Sequence, residues 1–495
     1  MTDLRIHNHS RLTTGVPGLD TLLDSGLPRG GVYILMGPPG AGKTILGNQI
    51  CFHRVQSGET AVYVTVLAEN HDHMLTHLQD MAFYNPEVVG AQLHYFNGYS
   101  TLDREGVPGL LQLIRSVLRD QRPGVLVMDG LAAAGALADT ELDFKRFIHQ
   151  LQALAGLHNC VVLLLTHTTS DQQELRPEHT IVDGLIELTD RIVSLRPVRE
   201  VQIRKLRGVN QIRGSHLFTI SYQGITIYPR IEALPPRLFP QQGNVSNDGV
   251  SMERLAFGIT ELDAMVSGGL RQGSTTMVVG PTGSGKTVLG LHFLAAGVPH
   301  NQRGLYVGFS ETPVELVDKA ARVGLDLRQP YDTGQLSMLW FSSREEILDQ
   351  MAQQTLDLVR SRQIRRLVID GLHDIRAVAV HHQRLHRFFT ALTNLLREYG
   401  VTTLMSVETD DMLKLRVTIP VDYMSSLGEN IMLLRTVEFR ARLYRLISLL
   451  KMRRSNFDPS VHTFEITEHG LQVAPTSAQA EQILAGVQAD HSRTA

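Results

Sequence analysis

Cysteine is scarce in this sequence. Only two of the 495 residues are cysteines, Cys51 and Cys160. Two cysteines cannot build a disulfide framework, and their separation does not match the spacing of zinc ligands. Disulfide-stapled and zinc-finger classes are therefore excluded.

Long apolar runs are also missing. The first ten residues, MTDLRIHNHS, contain no apolar core of a signal peptide, and no run of about 18 apolar residues occurs. We therefore expect a cytoplasmic protein without a membrane partner.

The chain carries no strong excess of either charge. Its formal net charge is -3 at pH 7, and 20% of its residues are charged. A strongly basic footprint for non-specific nucleic-acid binding is therefore absent at the level of the whole chain, which leaves only a local basic stripe open.

Histidines are numerous, at 21 residues, but their spacing does not indicate a metal site. His73 and His77 lie four residues apart on a possible helix, yet no acidic third ligand and no general base follows the metalloprotease pattern. We interpret these two residues, and likewise His381, His382 and His386, as solvated rather than metal-binding.

An internal repeat is the main feature that the sequence does contain. Residues 15–44, GVPGLDTLLDSGLPRGGVYILMGPPGAGKT, align without a gap with residues 258–287, GITELDAMVSGGLRQGSTTMVVGPTGSGKT. A repeat at this interval indicates a duplicated domain. The length of the chain also exceeds what one hydrophobic core usually organises.

Apolar strands alternate with amphipathic helical stretches in both halves. The strands GVLVMDG (124–130) and RLVIDG (366–371) each precede a second apolar run, VVLLLTH (161–167) or VTTLMSVET (401–409). Near-continuous apolar strands are typical of parallel sheets covered on both faces. We therefore predict an α/β fold of two tandem units, each a mostly parallel twisted sheet flanked by helices.

Composition sets the predicted boundaries of these units. A stretch rich in proline, asparagine and glycine separates them, which is typical of a linker. The final stretch has little apolar content, so we expect a loose tail or a partner-binding segment. The predicted parts are an N-terminal extension (1–11), a first domain (12–231), a linker (232–251), a second domain (252–474) and a C-terminal tail (475–495).

Both repeats contain the phosphate-loop pattern G-x-x-x-x-G-K-[ST], at 37–44 and 280–287, between a β-rich run and a helical run. Backbone N–H groups of such a loop point at phosphate oxygens, and the following helix adds positive potential. Its lysine reaches the β and γ phosphates and its threonine binds Mg²⁺. The predicted nucleotide-binding residues are Gly40, Ala41, Gly42, Lys43 and Thr44 in the first loop, and Gly283, Ser284, Gly285, Lys286 and Thr287 in the second.

An aspartate ends the apolar strand GVLVMDG of the first repeat and RLVIDG of the second. These residues are Asp129 and Asp370. An aspartate at this place suits a direct or water-mediated contact to Mg²⁺. We therefore predict that Thr44 with Asp129, and Thr287 with Asp370, form the two metal sites.

These motifs together resemble the RecA-like ATPases, and specifically the two-domain KaiC family. The G-x-x-x-LD stretches at 15–20 and 258–263 resemble the opening motif of that family, and KLRG (205–208) and KMRR (451–454) look like its K-[LM]-R motifs. The resemblance covers about residues 12–473. It implies two tandem RecA-like P-loop NTPase domains that use ATP and Mg²⁺.

The resemblance also implies an assembly, a homo-hexameric double ring with ATP at the subunit interfaces. One subunit then supplies the phosphate loop and its neighbour supplies the K-[LM]-R segment. A cation supplied in this way can raise the rate of phosphoryl transfer by about 10³–10⁵. The alternative is that these segments are surface charges at a strand end. The implied nucleotide contacts are Lys205, Leu206 and Arg207 in the first domain and Lys451, Met452 and Arg453 in the second.

The sequence departs from the family at the adjacent glutamates that follow the second strand. The second domain keeps Glu311 but has Ser310 in the first position, and the first domain has Glu69 one place late. A general base must lie within hydrogen-bond reach of the proton that it removes, and a slip of one residue on a strand turns a side chain to the other face. We predict Glu69 and Glu311 as the catalytic residues and expect slow hydrolysis.

The second domain of the family also phosphorylates an adjacent pair of hydroxyl residues on itself. The stretch YMSSLGENIMLL (423–434) puts Ser425 and Ser426 at the acceptor positions. The equivalent stretch of the first domain, LIELTDRIVSL (185–195), offers Ile186 and Glu187, which have no hydroxyl. We therefore predict serine autokinase and autophosphatase activity in the second domain alone. The alternative is that the two serines only open a strand.

Three functions follow from these motifs. The first is a regulatory ATPase, acting in signalling or clock-like regulation, whose state is read by protein partners of unknown identity. The second is a nucleic-acid-dependent motor, for which segment 130–145 is nearly uncharged whereas segment 373–387 is more basic. The third is a scaffold that binds ATP only to hold its ring together. We favour the first and expect that nucleic acid is not a partner.

Overall fold

The chain folds into two compact units that divide between Leu234 and Pro235. Each unit contains one copy of the sequence repeat. The structure, a computed structural model, describes residues 10–67, 71–167, 177–193, 195–235, 253–342, 347–409 and 427–494.

Strands and helices alternate along the first unit. Its strands are β1 (Arg11–Leu12), β2 (Leu27–Pro28), β3 (Val32–Met36), β4 (Ala61–Thr65), β5 (Leu93–Asn97), β6 (Val125–Asp129), β7 (Val161–Thr166), β8 (Gly184–Val193), β9 (Arg196–Leu206), β10 (Ser215–Ser221) and β11 (Gly224–Tyr228). Its helices are α1 (Leu19–Leu22), α2 (Lys43–Gln56), α3 (His71–Leu78), α4 (Tyr99–Gln121), α5 (Leu131–Ala136), α6 (Glu141–His158) and α7 (Pro177–Ile181).

The second unit has its strands in the same order, with a different set of helices. Its strands are β12 (Arg254–Leu255), β13 (Leu270–Arg271), β14 (Thr275–Gly280), β15 (Gly304–Gly308), β16 (Leu336–Trp340), β17 (Arg366–Asp370), β18 (Thr402–Glu408), β19 (Asn430–Phe439), β20 (Arg442–Met452), β21 (His462–Thr467) and β22 (Gly470–Val473). Its helices are α8 (Thr260–Met265), α9 (Lys286–Ala295), α10 (Pro313–Arg322), α11 (Arg328–Asp332), α12 (Leu348–Arg362), α13 (Leu372–Val378), α14 (Leu385–Glu398) and α15 (Ala478–Thr494).

The described part of each unit contains one nine-stranded sheet. The strand order is β5-β4-β6-β7-β3-β8-β9-β10-β11 in the first unit and β16-β15-β17-β18-β14-β19-β20-β21-β22 in the second. In this spatial order, the first six strands of each sheet pair in parallel. The last three strands of each sheet pair antiparallel. The predicted fold class, two tandem RecA-like domains, is confirmed.

Burial on both faces explains the apolar strands. Every residue of β3 is buried, and the two faces of the first sheet pack against separate clusters of side chains. Leu46 and Ile50 of α2 belong to one cluster, whereas Ile114 of α4 and Phe147 of α6 belong to the other. A strand buried between two helical layers has no polar face, so it reads as a continuous apolar run.

The leucine-aspartate pair of the opening motif has a structural role in both units. Asp20 accepts hydrogen bonds from the backbone N–H and the hydroxyl of Thr14, both at 2.9 Å. Asp263 accepts from the backbone N–H groups of Phe257 at 2.7 Å and Gly258 at 3.0 Å. Each carboxylate therefore fixes the turn through which the chain enters its unit.

The predicted linker, residues 232–251, lies mostly outside the described residues. Its first part belongs to the first unit, because Ala233 and Leu234 pack against that unit's core. No helix in the described part of the chain is long and apolar enough to cross a membrane.

The C-terminal segment differs from the loose tail that we expected. Residues Ala478–Thr494 form α15, and Ala480, Ile483 and Val487 are buried against Val437 and Leu446 of the sheet. The apolar content of the segment is low, but its apolar residues recur at helical spacing. A narrow stripe is enough when the sheet supplies the rest of the contact surface.

Candidate nucleotide sites

Each phosphate loop connects a central strand to a helix. In the first unit the loop follows β3 and leads into α2, and in the second it follows β14 and leads into α9. The residue before each helix, Gly42 or Gly285, has a φ of 95° or 102°. A Cβ atom there would lie 2.8 Å from the side chain of Ile220 or 2.9 Å from that of Ile466. Both conformation and space therefore require glycine at this position.

The two loop lysines take the same conformation. Nζ of Lys43 donates to the carbonyl oxygens of Gly37 at 2.9 Å and Pro38 at 2.8 Å. Nζ of Lys286 makes the equivalent bonds in the second loop, at 2.8 and 2.7 Å. Burial lowers the pKa of Lys43, and the nearby carboxylate of Asp129 opposes this shift. Each ammonium is therefore held inside its loop, where a triphosphate would approach.

The predicted metal residues come together in both units. The hydroxyl of Thr44 donates to Oδ2 of Asp129 at 3.2 Å, and that of Thr287 donates to Oδ2 of Asp370 at 2.6 Å. Hydroxyl and carboxylate oxygens in contact are the hard ligands that Mg²⁺ prefers. This donor set fits the predicted cation.

A tyrosine that the sequence analysis missed completes each cluster. Tyr63 donates its hydroxyl to Asp129, and Tyr306 donates its hydroxyl to Asp370, both at 2.7 Å. Burial, with a contribution from the neighbouring aspartate, raises the pKa of Tyr63. The repeat in the sequence could have revealed this pair, because the two tyrosines occupy equivalent places on β4 and β15.

The second aspartate has one more hydrogen-bond donor. Ser406 on β18 donates to Oδ1 of Asp370, and its own oxygen accepts from the backbone N–H of Gly371 at 2.8 Å. Leu165 occupies the equivalent register position in the first unit. The carboxylate of Asp370 is therefore held at both oxygens by side chains, whereas Leu165 offers Asp129 no such bond.

Of the two predicted catalytic glutamates, the structure places one in a site. Glu311 lines the second cavity and forms an ion pair with Lys319, which lies on α10 and lines the same cavity. A capping box between Thr312 and Glu315 starts α10 directly after Glu311 and so fixes its position. Glu69 lies outside the described residues.

The cavities beside the two loops have similar volumes but different charges. The first is about 400 Å³ and the second about 390 Å³. Among the described residues, one lysine and one carboxylate, Lys43 and Asp129, line the first cavity, whereas two lysines and four carboxylates line the second. The charged residues of the second cavity are Lys286, Lys319, Glu311, Asp370, Asp374 and Glu408.

The second K-[LM]-R segment lies far from the phosphate loop of its own unit. Lys451 pairs with Ile431, which pairs with Met277 near the start of β14. The N–H of Arg453 donates to the carbonyl of Glu429, whose own N–H donates to Thr275, the first residue of that strand. The phosphate loop leaves the other end of β14, about 16 Å away at 3.3 Å per residue.

The first unit repeats this arrangement. The N–H of Arg207 donates to the carbonyl of Asp183, whose N–H donates to Val32 at the start of β3. Nζ of Lys205 donates to the carbonyl oxygens of His179 and Thr180 at 3.1 and 2.8 Å. Both segments therefore lie where the central strand of the sheet begins, and the phosphate loop lies where that strand ends.

The middle residue of each segment is part of a core. Leu206 is 6% exposed and Met452 is 9% exposed, and each packs within its own unit. The arginines Arg207 and Arg453 are exposed. Any contact from Leu206 or Met452 to a nucleotide would therefore come through the backbone.

The predicted phosphoacceptors Ser425 and Ser426 lie outside the described residues. Sheet register nevertheless corrects the comparison on which their assignment to one domain depended. Leu185 pairs with Ile34, and Ile431 pairs with Met277, the residue that the gap-free repeat places over Ile34.

This register makes Ile186 the counterpart of Met432, so Ile186 and Glu187 are not the counterparts of the serine pair. The predicted equivalence of 185–195 with the serine segment is therefore wrong, because strand pairing and not the apolar pattern sets the register. Counting back from these strands in both repeats instead places His179 and Thr180 against the two serines. The first domain therefore also has a hydroxyl at the corresponding place in its sequence.

Comparison with known proteins agrees with this architecture. A sequence model of the family described as "ATPase: KaiC" matches residues 12–232 and again residues 255–478. A circadian clock oscillator protein KaiC from a Picosynechococcus strain is 24% identical, with 96% of this chain and 92% of the relative covered. A circadian clock protein KaiC3 from a Synechocystis strain is 25% identical, with 98% and 96% covered. A circadian clock oscillator protein KaiC from Rippkaea orientalis is 24% identical, with 96% and 91% covered.

Proposed function

The chain belongs to the KaiC family of ATPases, and from this premise we propose that it is a regulatory ATPase that assembles into a double ring with ATP held between neighbouring subunits. Each unit binds one ATP at its own phosphate loop. The neighbouring subunit contributes the K-[LM]-R segment, and the ring is a homo-hexamer. Partner proteins read the nucleotide state of the ring.

The position of Arg453 carries this proposal. Its backbone bonds to Glu429 at the level where β14 begins, whereas Lys286 follows the loop at the other end of that strand. A side chain at this place cannot serve the nucleotide of its own unit. It can serve the loop of a neighbour that is stacked head to tail, and head-to-tail contacts form a ring when the rotation between subunits closes.

Magnesium would be held by Thr44 with Asp129 and by Thr287 with Asp370. These pairs supply oxygen ligands, and the remaining positions of the ion are left for water and phosphate, as is usual for Mg²⁺. The bound ion neutralises charge on the phosphates during transfer. Tyr63 and Tyr306 hold the two aspartates in place through the bonds described above.

Glu311 is the proposed base of the second site. It lines the cavity with Lys286 and Asp370, so its carboxylate reaches the space in which the γ phosphate and the attacking water would lie. Its ion pair with Lys319 restrains it and must be exchanged for a bond to water before it can act. We propose slow turnover for this reason. Glu69 remains the proposed base of the first site.

We also propose serine autokinase activity at Ser425 and Ser426. Positioning and Mg²⁺ supply most of the catalysis of phosphoryl transfer, so a single glutamate does not exclude it. Incubation with ATP labelled at the γ phosphate tests this activity. Label should enter the wild-type chain and disappear when both serines are replaced by alanine. Label that persists after Ser425→Ala with Ser426→Ala, and that is lost after Thr180→Ala, would place the acceptor in the first domain.

The nucleic-acid motor is the alternative, and one contact argues against it. Arg384, a basic residue of segment 373–387, makes two bonds to the carboxylate of buried Asp349, at 3.0 and 2.9 Å. Its charge is therefore used within the fold. Binding to single-stranded DNA with a steep salt dependence would favour the motor, since phosphate neutralisation releases counterions.

Light scattering with and without Mg·ATP tests the assembly. The wild-type chain should form a hexamer when ATP is present. The double variant Lys43→Ala with Lys286→Ala, which lacks both phosphate-binding lysines, should remain smaller under the same conditions. A wild-type chain that binds Mg·ATP tightly and stays monomeric would overturn the proposed ring. Assembly without any turnover would favour the scaffold.

A further inference from the structure

The two nucleotide sites differ most clearly at the tip of the phosphate loop. In the second site the hydroxyl of Thr282, on the loop, donates a hydrogen bond to Oε1 of Glu408, the last residue of β18. Both residues line the cavity.

Sheet pairing holds Glu408 next to the loop. Glu408 pairs with Gly280, the last residue of β14, and the N–H of Thr409 donates to the carbonyl of Gly280 at 3.3 Å. Because the loop begins at Gly280, the strand end that carries the carboxylate is fixed to the start of the loop. The bond to Thr282 then crosses from this strand end to the loop tip.

The carboxylate of Glu408 adds negative charge where phosphate would bind. Burial lowers the pKa of Lys286, and Glu408 opposes this shift ahead of Asp370. Burial also raises the pKa of Asp374, which His373 opposes and to which Glu408 and Asp370 add. The negative charge of Glu408 therefore influences both Lys286 and Asp374 in the cavity.

We infer that Glu408 is a specificity-determining residue of the second site, which disfavours ATP relative to ADP by holding a carboxylate at the place that the charge of the γ phosphate must approach. A bound triphosphate has to displace this carboxylate from Thr282, or bind against its negative charge. A diphosphate lacks the terminal group and leaves the contact intact. Like charges at close range disfavour each other, so the selection acts on the terminal phosphate. The inference rests on the proposed function, since it needs nucleotide at the second loop.

The first site lacks both members of this contact. Pro39 takes the place of Thr282 in the loop and has no hydroxyl. His167 takes the place of Glu408, because Thr166 pairs with Met36 as Val407 pairs with Val279. The first site should therefore prefer ATP over ADP more strongly than the second. The repeated loops thus differ in selectivity although their lysines and threonines match.

Calorimetric titration with Mg·ATP and Mg·ADP tests the inference on the full-length chain. A Lys43→Ala background confines the measurement to the second site. Glu408→Gln should tighten ATP binding about tenfold relative to ADP, the size expected for one nearby charge that is partly screened. Thr282→Val, which leaves the charge but removes the bond, should shift the same ratio by less. Glu468→Gln removes an equally negative side chain that does not line the cavity and should leave the ratio unchanged.

Three results would overturn the inference. The first is an ATP-to-ADP affinity ratio that is the same before and after Glu408→Gln. The second is a variant with unchanged affinities that no longer hydrolyses ATP, which would make Glu408 a base instead. The third is a Lys43→Ala chain that binds neither nucleotide, which would remove the proposed function of the second site as well. Circular dichroism of each variant shows that the fold is retained.

Discussion

The hydroxyl of Tyr306 donates a hydrogen bond of 2.7 Å to Oδ2 of Asp370. Burial raises the pKa of this tyrosine, and the carboxylate that it contacts adds to the shift. The hydroxyl therefore keeps its proton at any working pH and is always a donor. Since Thr287 donates to the same oxygen, the bond fixes the orientation of the carboxylate toward the proposed metal.

Replacing Tyr306 with phenylalanine tests this positioning role. Tyr306→Phe should lower ATP turnover at the second site about tenfold, because a partner that orients a metal ligand typically contributes 10–100-fold. The affinity for ATP without Mg²⁺ should change little. The measurement is steady-state hydrolysis in a Lys43→Ala background. Tyr63→Phe in a Lys286→Ala background is the matched variant for the first site, and unchanged kcat in both would contradict the role.

The duplicated loops predict two nucleotides per chain. Equilibrium binding of a radiolabelled ATP analogue should give about two equivalents for the wild type, since both lysines lie in the same cradle of carbonyl groups. Lys43→Ala and Lys286→Ala should each leave about one equivalent, and the double variant should bind almost none. Arg104→Ala, a change at an exposed helical residue, serves as the control. A single equivalent in the wild type would contradict the prediction.

Mixing two inactive variants tests whether sites are shared between subunits. In a Lys43→Ala background, Lys286→Ala and Arg453→Ala should each be inactive at the second site. After they are mixed in equal amounts and allowed to exchange, about one quarter of the head-to-tail interfaces combine an intact loop with an intact arginine. Turnover should therefore recover to about one quarter of the parent value. If both residues served one chain, mixing would restore nothing.

His292 predicts a pH-dependent stability of the second unit. Its Nε2 accepts the N–H of Leu471 at 2.8 Å, and burial lowers its pKa from 6.5 to about 4. The folded state therefore prefers the neutral ring. This contribution is fully present above about pH 6.5 and is lost as the pH falls toward 4, at about 1.4 kcal/mol per pH unit.

Urea unfolding at pH 7.5 and pH 5.0 measures this effect. The wild type should lose about 2 kcal/mol between these pH values through His292. His292→Gln removes the titrating group. Between these pH values its unfolding free energy should fall by about 2 kcal/mol less than that of the wild type, whatever its stability at pH 7.5. His300→Gln changes an exposed histidine and should keep the wild-type dependence. Identical pH dependence in the wild type and His292→Gln would refute the assignment.

The packing of α15 predicts that the C-terminal segment stabilises the second unit. Ile483 is 3% exposed in the cluster with Leu446, so Ile483→Ala should cost about 2–4 kcal/mol of unfolding free energy. Gln482→Ala, on the exposed side of the same helix, should change stability by less than about 0.5 kcal/mol. Calorimetry of both variants decides the point, and equal melting temperatures would contradict the observed packing.

The repeat allowed most of the fold to be predicted. The alternation of apolar strands and amphipathic helices identified β3, β7 and their counterparts, because strands buried on both faces have an unmistakable composition. The loop lysines, threonines and aspartates were found for a similar reason, since their spacing follows from phosphate and metal geometry. Local chemistry of this kind is written into short stretches of sequence.

Contacts between distant strands were not predictable in the same way. Glu408 lies 126 residues from Thr282, and only the parallel pairing of two strands brings them together. The register of β8 cannot be derived from its apolar pattern, since only its pairing with β3 shows that Ile186 corresponds to Met432. The burial of α15 likewise depends on the sheet face that it covers rather than on its own composition.

In the proposed assembly, the separation of loop and arginine by the length of β14 gives each unit a receiving end and a donating end. An open row of such units always leaves one loop uncompleted and one arginine idle. Joining the last member to the first completes both through one more contact of the same kind. Chemical completeness alone therefore favours a closed circle over a filament.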